Sequence, residues 1–187
     1  MITVETKEKN YNLFVKKLES IGIDTSKFST IEDKLKNASF ALNNENGLAY
    51  DGSLINTVLR VLTPYAVGIN NLLPNEIKVN QDKLVKVCLL HQISKCQMFI
   101  PNDSEWHVKH GIVYKYADYP YALKMGMRSI VLLQELGITL DGEEMEAITV
   151  LDRQDDDNQV KFYSSPLATI VRQANELTFT TKRLVKD

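Results

Sequence analysis

Three histidines, His91, His107 and His110, are the residues of this chain best suited to metal or proton chemistry. A neutral imidazole can bind a transition metal, and histidine titrates near neutral pH. His107 and His110 have the His-x-x-His spacing of a zinc-binding pair, but they lie where alternating apolar residues predict a strand and its turn. We interpret the pair as part of a solvated hairpin, with a zinc site as the alternative.

A run of carboxylates is a second candidate site, because Ca²⁺ prefers carboxylate oxygens. The run consists of Asp152, Asp155, Asp156 and Asp157. It lacks the glycine at the sixth loop position and the distal glutamate of an EF-hand. A solvated loop between two helices therefore explains the run better than a calcium site does.

Three basic residues, Lys95, Lys124 and Arg128, are candidates for binding an anion such as a phosphate. Cations that converge around one cavity bind anions through charge-assisted hydrogen bonds. The alternative is that all three are charged residues on exposed helix faces. The sequence leaves both interpretations open.

The composition is that of a globular protein of one domain, with 187 residues, 44% of them hydrophobic and 25% charged. The net charge of -2 lacks the basic excess that binds a phosphate backbone, so a nucleic-acid partner is not expected without a local basic patch. The polar start, Met1 to Asn10, does not resemble a secretion signal, and no segment approaches the ~20 apolar residues of a membrane span. We expect a cytoplasmic protein in which Cys88 and Cys96 are reduced.

Apolar residues at helical spacing predict a mainly α protein. A short first helix is expected to end before Gly22. Ser29 and Glu32 have the spacing of a capping box that begins a second helix. Asp51 is a suitable N-cap for a long third helix, which Pro64 is expected to kink or split.

The second half of the chain is predicted to contain a β-hairpin between helices. One face of the preceding helix ends at His91, whose side chain should therefore point inward. Alternating residues from 106 to 116 around Lys109-His110-Gly111 predict the two strands, and helix returns from about Tyr121. The remaining predicted helix boundaries are Asn80, Gly137, Asp141 with Glu144, and Ser165 with Pro166.

The order of several motifs resembles that of HD-domain metal-dependent phosphohydrolases. Leu89 to Lys95, LLHQISK, is similar to a helix end in that family with apolar-apolar-His-Asp-apolar-small-Lys. Asp51-Gly52-Ser53-Leu54 resembles the family's earlier Asp-His-Ser-Leu. The segment from Pro120 to Ser129 resembles its Pro-x-Gly-His-Gly-Glu-Lys-Ser element. Glu144-x-x-Ala147-Ile148 and Ala174-Asn175 then follow in the family's order.

The resemblance implies a helical fold around one or two divalent metals that activate water for attack on a phosphoester. Carried over by position, the implied metal ligands fall at Gly52, His91, Gln92, Met125, Leu151 and Asn175. Only His91 keeps the family's residue type. Glycine, methionine and leucine cannot replace imidazole, and an amide lacks the charge of a carboxylate. We therefore expect a degenerate site that binds no metal.

These observations predict a single, mainly α domain over residues 1–187, an HD-domain-like helical bundle with one small β-hairpin. The resemblance covers about residues 38–181, and residues 1–37 are predicted to form an N-terminal helical extension. Since its partners are missing, His91 is interpreted as a core histidine, with Gln92 and Asn175 completing a hydrogen-bond network.

The predicted function is a non-catalytic binding or scaffold module without a cofactor, whose partner is a small anionic ligand or another protein. One alternative is a phosphohydrolase that holds a divalent metal in a rearranged site, with His91 joined by Asp51, Asp152 or another nearby carboxylate. Another is a sensor that binds a nucleotide or other anionic ligand in the vacated pocket.

Overall fold

The structure is a computed structural model that describes residues 2–152 and 164–184. Helices dominate the described residues, and the strands among them form one two-stranded antiparallel sheet, so the prediction of a mainly α fold with a small hairpin is confirmed. Within the described residues, no helix has both the length and the apolar character needed to cross a membrane. The acidic residues Asp155, Asp156 and Asp157 lie outside the described ranges.

Within the described residues, 3₁₀ turns and a π-helical turn occur between the α-helices and strands. Their bounds are α1 (Val4–Ser20), α2 (Glu32–Asn37), α3 (Ser53–Thr57), α4 (Thr63–Leu72), α5 (Gln81–Leu90), α6 (Lys95–Met98), β1 (Phe99–Pro101), α7 (Glu105–Lys109), β2 (Tyr114–Tyr116), α8 (Met125–Glu135), α9 (Gly142–Thr149) and α10 (Pro166–Leu184).

One buried hydrophobic cluster connects the first helix to the last. Helix α10 packs against α4 and α9, while α5 packs against α4, α9 and α10. Helix α1 packs against α2 and α3, and its Phe14 and Leu18 are fully buried in the same cluster as Val171 of α10. Buried apolar area stabilises a fold by about 25 cal/mol per Å². The buried side chains of α1 therefore contribute to the stability of the core.

Pro64 splits the predicted long helix, as expected. Residues Val58–Leu62 form a π-helical turn between α3 and α4, and the backbone N–H of Thr63 donates to the carbonyl of Val58. Proline has no N–H and its ring crowds the preceding turn, so a wider turn in front of it relieves the conflict. The three segments follow one another without a loop.

Three of the predicted helix caps are confirmed. The Asn80 side chain accepts a hydrogen bond from the N–H of Lys83 at 3.0 Å. Asp141 and Glu144 form the reciprocal bonds of a capping box at the start of α9. Ser165 accepts from the N–H of Ala168 at 3.2 Å, with Pro166 in the first turn of α10.

Two other predicted caps are wrong. Ser29 lies in a 3₁₀ turn and donates to the carbonyl of Ser26, so it forms no capping box with Glu32. Gly52, with φ of +80°, is the residue before α3 and replaces Asp51 in the capping position. The Asp51 carboxylate instead binds residues distant in sequence.

The predicted first strand of the hairpin is also wrong. Residues Glu105–Lys109 form α7, because the Ser104 side chain caps this turn by accepting from the N–H of His107. The strand that pairs with β2 is β1, in the register Phe99↔Tyr116, Ile100↔Lys115 and Pro101↔Tyr114. His107 therefore lies on a helix and His110 at its end, not on a strand and turn as the sequence predicted.

Candidate functional site

A buried hydrogen-bond network occupies the end of α5, where the family resemblance places a histidine-aspartate pair. The Nδ1 atom of His91 lies 3.1 Å from the carbonyl oxygen of Cys88, which can only accept, so Nδ1 carries the proton. The Nε2 atom then accepts from the amide nitrogen of Gln92 at 2.9 Å. The same amide nitrogen donates to Oδ1 of Asn175 at 2.7 Å.

The three side chains meet because α5 packs against α10. Gln92 lies in the turn directly after α5, and Asn175 projects from α10 beside Ala174. Ala174 is completely buried, and its small side chain permits a close approach between the two helices. The network predicted for Gln92 and Asn175 is therefore present, and His91 is part of it.

All three members of this network are neutral. Burial lowers the pKa of His91 from its usual 6.5 to about 4, and the positive charge of Lys95 acts in the same direction. The lone pair of Nε2 is already used by Gln92. The side-chain oxygen of Gln92, Oε1, is buried and has no hydrogen-bond partner among the described residues.

Lys95 is buried in an aromatic environment and does not line a groove with the other candidate cations. Its ammonium group donates to the carbonyl of Phe40 and lies 4.0 Å from the centre of the Phe40 ring. The same nitrogen lies 5.6 Å from the centre of the Phe99 ring. Burial lowers the pKa of Lys95 from 10.5 to about 7.

Lys124 and Arg128 do converge, on an open groove of about 500 Å³. Two degenerate ligand positions, Met125 and Leu151, lie on its walls. Lys124 donates to the backbone carbonyl of Asp152 at 2.8 Å. Arg128 donates to a backbone carbonyl through Nε, and its guanidinium lies 4.2 Å from the centre of the Tyr119 ring.

The N-terminus of α8 is capped by a carboxylate from a distant part of the chain. Asp152 accepts hydrogen bonds from the N–H groups of Gly126 at 3.0 Å and Met127 at 3.2 Å. An anion at this position is stabilised by the helix dipole and satisfies two otherwise unpaired donors. The contact requires glycine at 126, since a Cβ there would lie 2.6 Å from Oδ2 of Asp152 and from the carbonyl of Ile148.

Serine side chains connect the groove to the buried network. Ser94, two residues after Gln92, donates to the carbonyl of Met125 at 3.0 Å. The Ser129 hydroxyl donates to the Ser94 hydroxyl at 2.9 Å. The residue before α6 is thus bonded to α8, and neither serine is exposed.

Gly52 lies against the N-terminal segment and α2. A Cβ at this position would lie 2.9 Å from Cδ1 of Ile2 and 3.0 Å from the carbonyl of Lys36. Its backbone is also left-handed, which disfavours any residue with a Cβ. A histidine does not fit at position 52 in this conformation.

The carboxylates considered for a rearranged metal site have partners of their own. Asp51 accepts from the Tyr114 hydroxyl at 2.8 Å and from Lys7 at 3.2 Å. Burial and this bond to Asp51 raise the pKa of Tyr114, so the phenol stays protonated. Over residues 2–152 and 164–184, no three His, Cys, Asp or Glu side chains are grouped so that they could hold a metal ion.

Comparison with known proteins assigns no family. No protein-family model, curated protein or solved structure matches the chain. The similarity to HD-domain phosphohydrolases therefore stays a prediction from motif order.

Proposed function

We propose that the chain is a non-catalytic protein of the HD type that acts as a binding or scaffold module, and that it works in the cytoplasm. The observation that supports this is the neutral network of His91, Gln92 and Asn175. Catalysis by a metal-dependent phosphohydrolase needs ligands that present free lone pairs and negative charge to a divalent cation. The network carries no negative charge, and the lone pairs of His91 Nε2 and Asn175 Oδ1 that face Gln92 are used within it.

The orientation of the Gln92 amide strengthens this argument. Its nitrogen donates both to His91 and to Asn175. A half-turn of the amide would place Oε1 against Oδ1 of Asn175, two acceptors in contact at a buried position. Such an arrangement leaves buried polar groups unpaired, which costs about 1–3 kcal/mol per group. Hydrogen bonding thus favours the orientation in which the Gln92 nitrogen, and not its oxygen, faces His91 and Asn175.

Metal analysis combined with a hydrolysis assay tests the proposed function. We expect the protein, purified without chelators, to contain no stoichiometric manganese, iron or zinc. It should not hydrolyse bis(p-nitrophenyl) phosphate when Mn²⁺ is added. The variant Gln92→Asp/Asn175→Asp is a useful control, because restoring both carboxylates should raise metal affinity without supplying the missing histidines. Stoichiometric metal together with hydrolysis by the unmodified chain would overturn the proposal.

A second candidate function is a sensor of small anionic ligands, supported by the groove between Lys124 and Arg128. Both cations use backbone carbonyls as partners, so their charges are not neutralised by those bonds. A thermal-shift screen of nucleotides and inorganic phosphate tests this candidate. Stabilisation that disappears in Lys124→Gln/Arg128→Gln supports it, and no shift with any of these ligands contradicts it.

A further inference from the structure

Tyr116 stands between two concave parts of the surface. On one side is a concavity of about 410 Å³ that contains His107, Ile112 and Lys115 in its wall. On the other is the groove of about 500 Å³ with Lys124 and Arg128. Tyr116 lines both concavities, so it is the residue at which the two adjoin.

The Tyr116 ring is held in place but remains accessible. It makes an edge-on contact with Phe99, with ring centres 5.5 Å apart and an interplanar angle of 75°. Phe99 in turn packs near the buried ammonium of Lys95. Even so, 61% of Tyr116 is exposed, so a flat group can stack on it.

Two more exposed aromatic residues accompany Tyr116 in the same stretch of chain. Trp106 is 63% exposed and stacks on His110, with ring centres 4.1 Å apart. Tyr121 is 64% exposed and lies edge-on to Tyr119, over which Arg128 is stacked. Exposed aromatic rings therefore recur along residues 106–128.

The same stretch concentrates positive charge. Residues 106–128 contain Lys109, Lys115, Lys124 and Arg128 but only one acidic residue, Asp118, in a chain whose net charge is -2. The net charge of the whole chain does not reveal this local excess of positive charge. A nucleic-acid partner was therefore not expected from the composition.

Two carboxylates, Asp103 and Asp152, line the same two concavities as the cations, and each has a partner. Asp103 forms an ion pair with Lys115 at 2.8 Å. Asp152 caps α8 through two backbone N–H groups. Neither carboxylate forms a bond to the side chain of Lys124 or Arg128 that would cancel its charge, since Lys124 bonds the backbone carbonyl of Asp152.

A ligand that matches this surface must alternate flat rings with negative charges. Single-stranded nucleic acid has this chemistry, because unpaired bases stack on aromatic side chains and on arginine while the phosphates contact cations. A duplex hides the faces of its bases and matches less well. An isolated phosphate would use the cations but not the aromatic rings.

We propose that the surface around Tyr116 binds a single-stranded oligonucleotide. The inference rests on the proposed non-catalytic binding function and names the class of ligand. Bases stack on Tyr116, and the phosphates on one side of it contact Lys124 and Arg128.

Fluorescence anisotropy with a labelled oligothymidine of about 12 nucleotides, in about 50 mM salt, tests the proposal. Tyr116→Ala should weaken binding about ten-fold, whereas Tyr116→Phe, which keeps the ring, should bind like the unmodified protein. Lys124→Gln/Arg128→Gln should weaken binding and reduce the slope of log K against log salt by about 1.4, as expected for two lost phosphate contacts. Thermal unfolding of each variant checks that the fold is intact.

The matched control removes two exposed lysines from α1, as Lys9→Gln/Lys16→Gln, and should leave binding unchanged. Equal loss in this control would mean non-specific attraction and would overturn the proposal. So would equal binding of a duplex, loss of binding in Tyr116→Phe, or no binding of the unmodified protein at about 100 μM. Gel analysis of the bound strand separates the two proposals: a cleaved strand would refute the non-catalytic function while binding through Tyr116 still held.

Discussion

The amide nitrogen of Gln92 donates a hydrogen bond to Nε2 of His91 across 2.9 Å inside the protein core. This bond can form only while His91 is neutral. A protonated imidazole carries hydrogen on both ring nitrogens, so its Nε2–H would face the N–H of Gln92. Acid therefore breaks the contact between residues 91 and 92 and places a second cation near Lys95.

The first prediction is that the free energy of unfolding falls as pH decreases from 6.5 to about 4. The folded pKa of His91, about 4, lies below the 6.5 of an exposed histidine, so the unfolded state binds the proton first. A shift of this size corresponds to roughly 3 kcal/mol across the window. Urea unfolding at a series of pH values measures it, and His91→Gln should show a clearly shallower decline. An equally steep decline in that variant would contradict the assignment.

The second prediction concerns Lys95 and the alkaline side of neutrality. Its folded pKa of about 7 is below the usual 10.5, so the unfolded state binds more protons above pH 7 and stability rises with pH. The slope should approach about 1.4 kcal/mol per pH unit between roughly pH 7.5 and 8.5. Lys95→Met should abolish the rise.

The pH range in which the effect of Lys95 can be measured alone is limited by the titration of the two cysteine thiols. Burial raises the pKa of Cys96 to about 12, and that of Cys88 is raised as well. Because the folded pKa of each thiol is above the unfolded value of 9, the free energy of unfolding decreases as pH rises beyond 9. Above pH 9 this decrease opposes the increase caused by Lys95. Measurements below pH 9 isolate Lys95, and a flat profile in this range would refute its low pKa.

The third prediction is that Gly126→Ala is destabilising by about 1–3 kcal/mol, the usual cost of overpacking. The new methyl group would collide with Asp152 and the carbonyl of Ile148. Gly68→Ala is the matched control, because nothing lies within 4 Å of its Cβ position in α4. Alanine should stabilise that helix by up to about 1 kcal/mol. Chemical denaturation of both variants measures the contrast, and equal stabilities would show that the close approach is absent.

Local features of this fold could be predicted from the spacing of residues, whereas contacts between distant residues could not be predicted from spacing. The caps by Asn80, Asp141 and Ser165 depend on atoms three residues away, so their patterns are visible in the chain. The strand partner of Tyr116 is Phe99, seventeen positions earlier. The alternation of apolar and polar residues near Trp106 wrongly predicted a strand there.

The same distinction applies to the candidate site. The network of Gln92 and Asn175 was predicted from the family resemblance, because the motifs implied that the two positions meet. The capping of α8 by Asp152 and the burial of Lys95 against Phe40 were not predicted. Both depend on how helices are placed in three dimensions, and no spacing in the sequence carries that information.

The final prediction is that removing the far end of the network destabilises the protein. Asn175→Ala deletes the acceptor at 2.7 Å and leaves an N–H of Gln92 buried without a partner. An unpaired buried donor costs about 1–3 kcal/mol, in addition to the small cavity. Gln173→Ala, at an exposed position of α10, should change stability by less than about 0.5 kcal/mol. Thermal and urea unfolding of the two variants compare them directly. Similar stabilities would mean that Asn175 does not bind Gln92 in solution, and the proposal of a closed, metal-free network would lose its support.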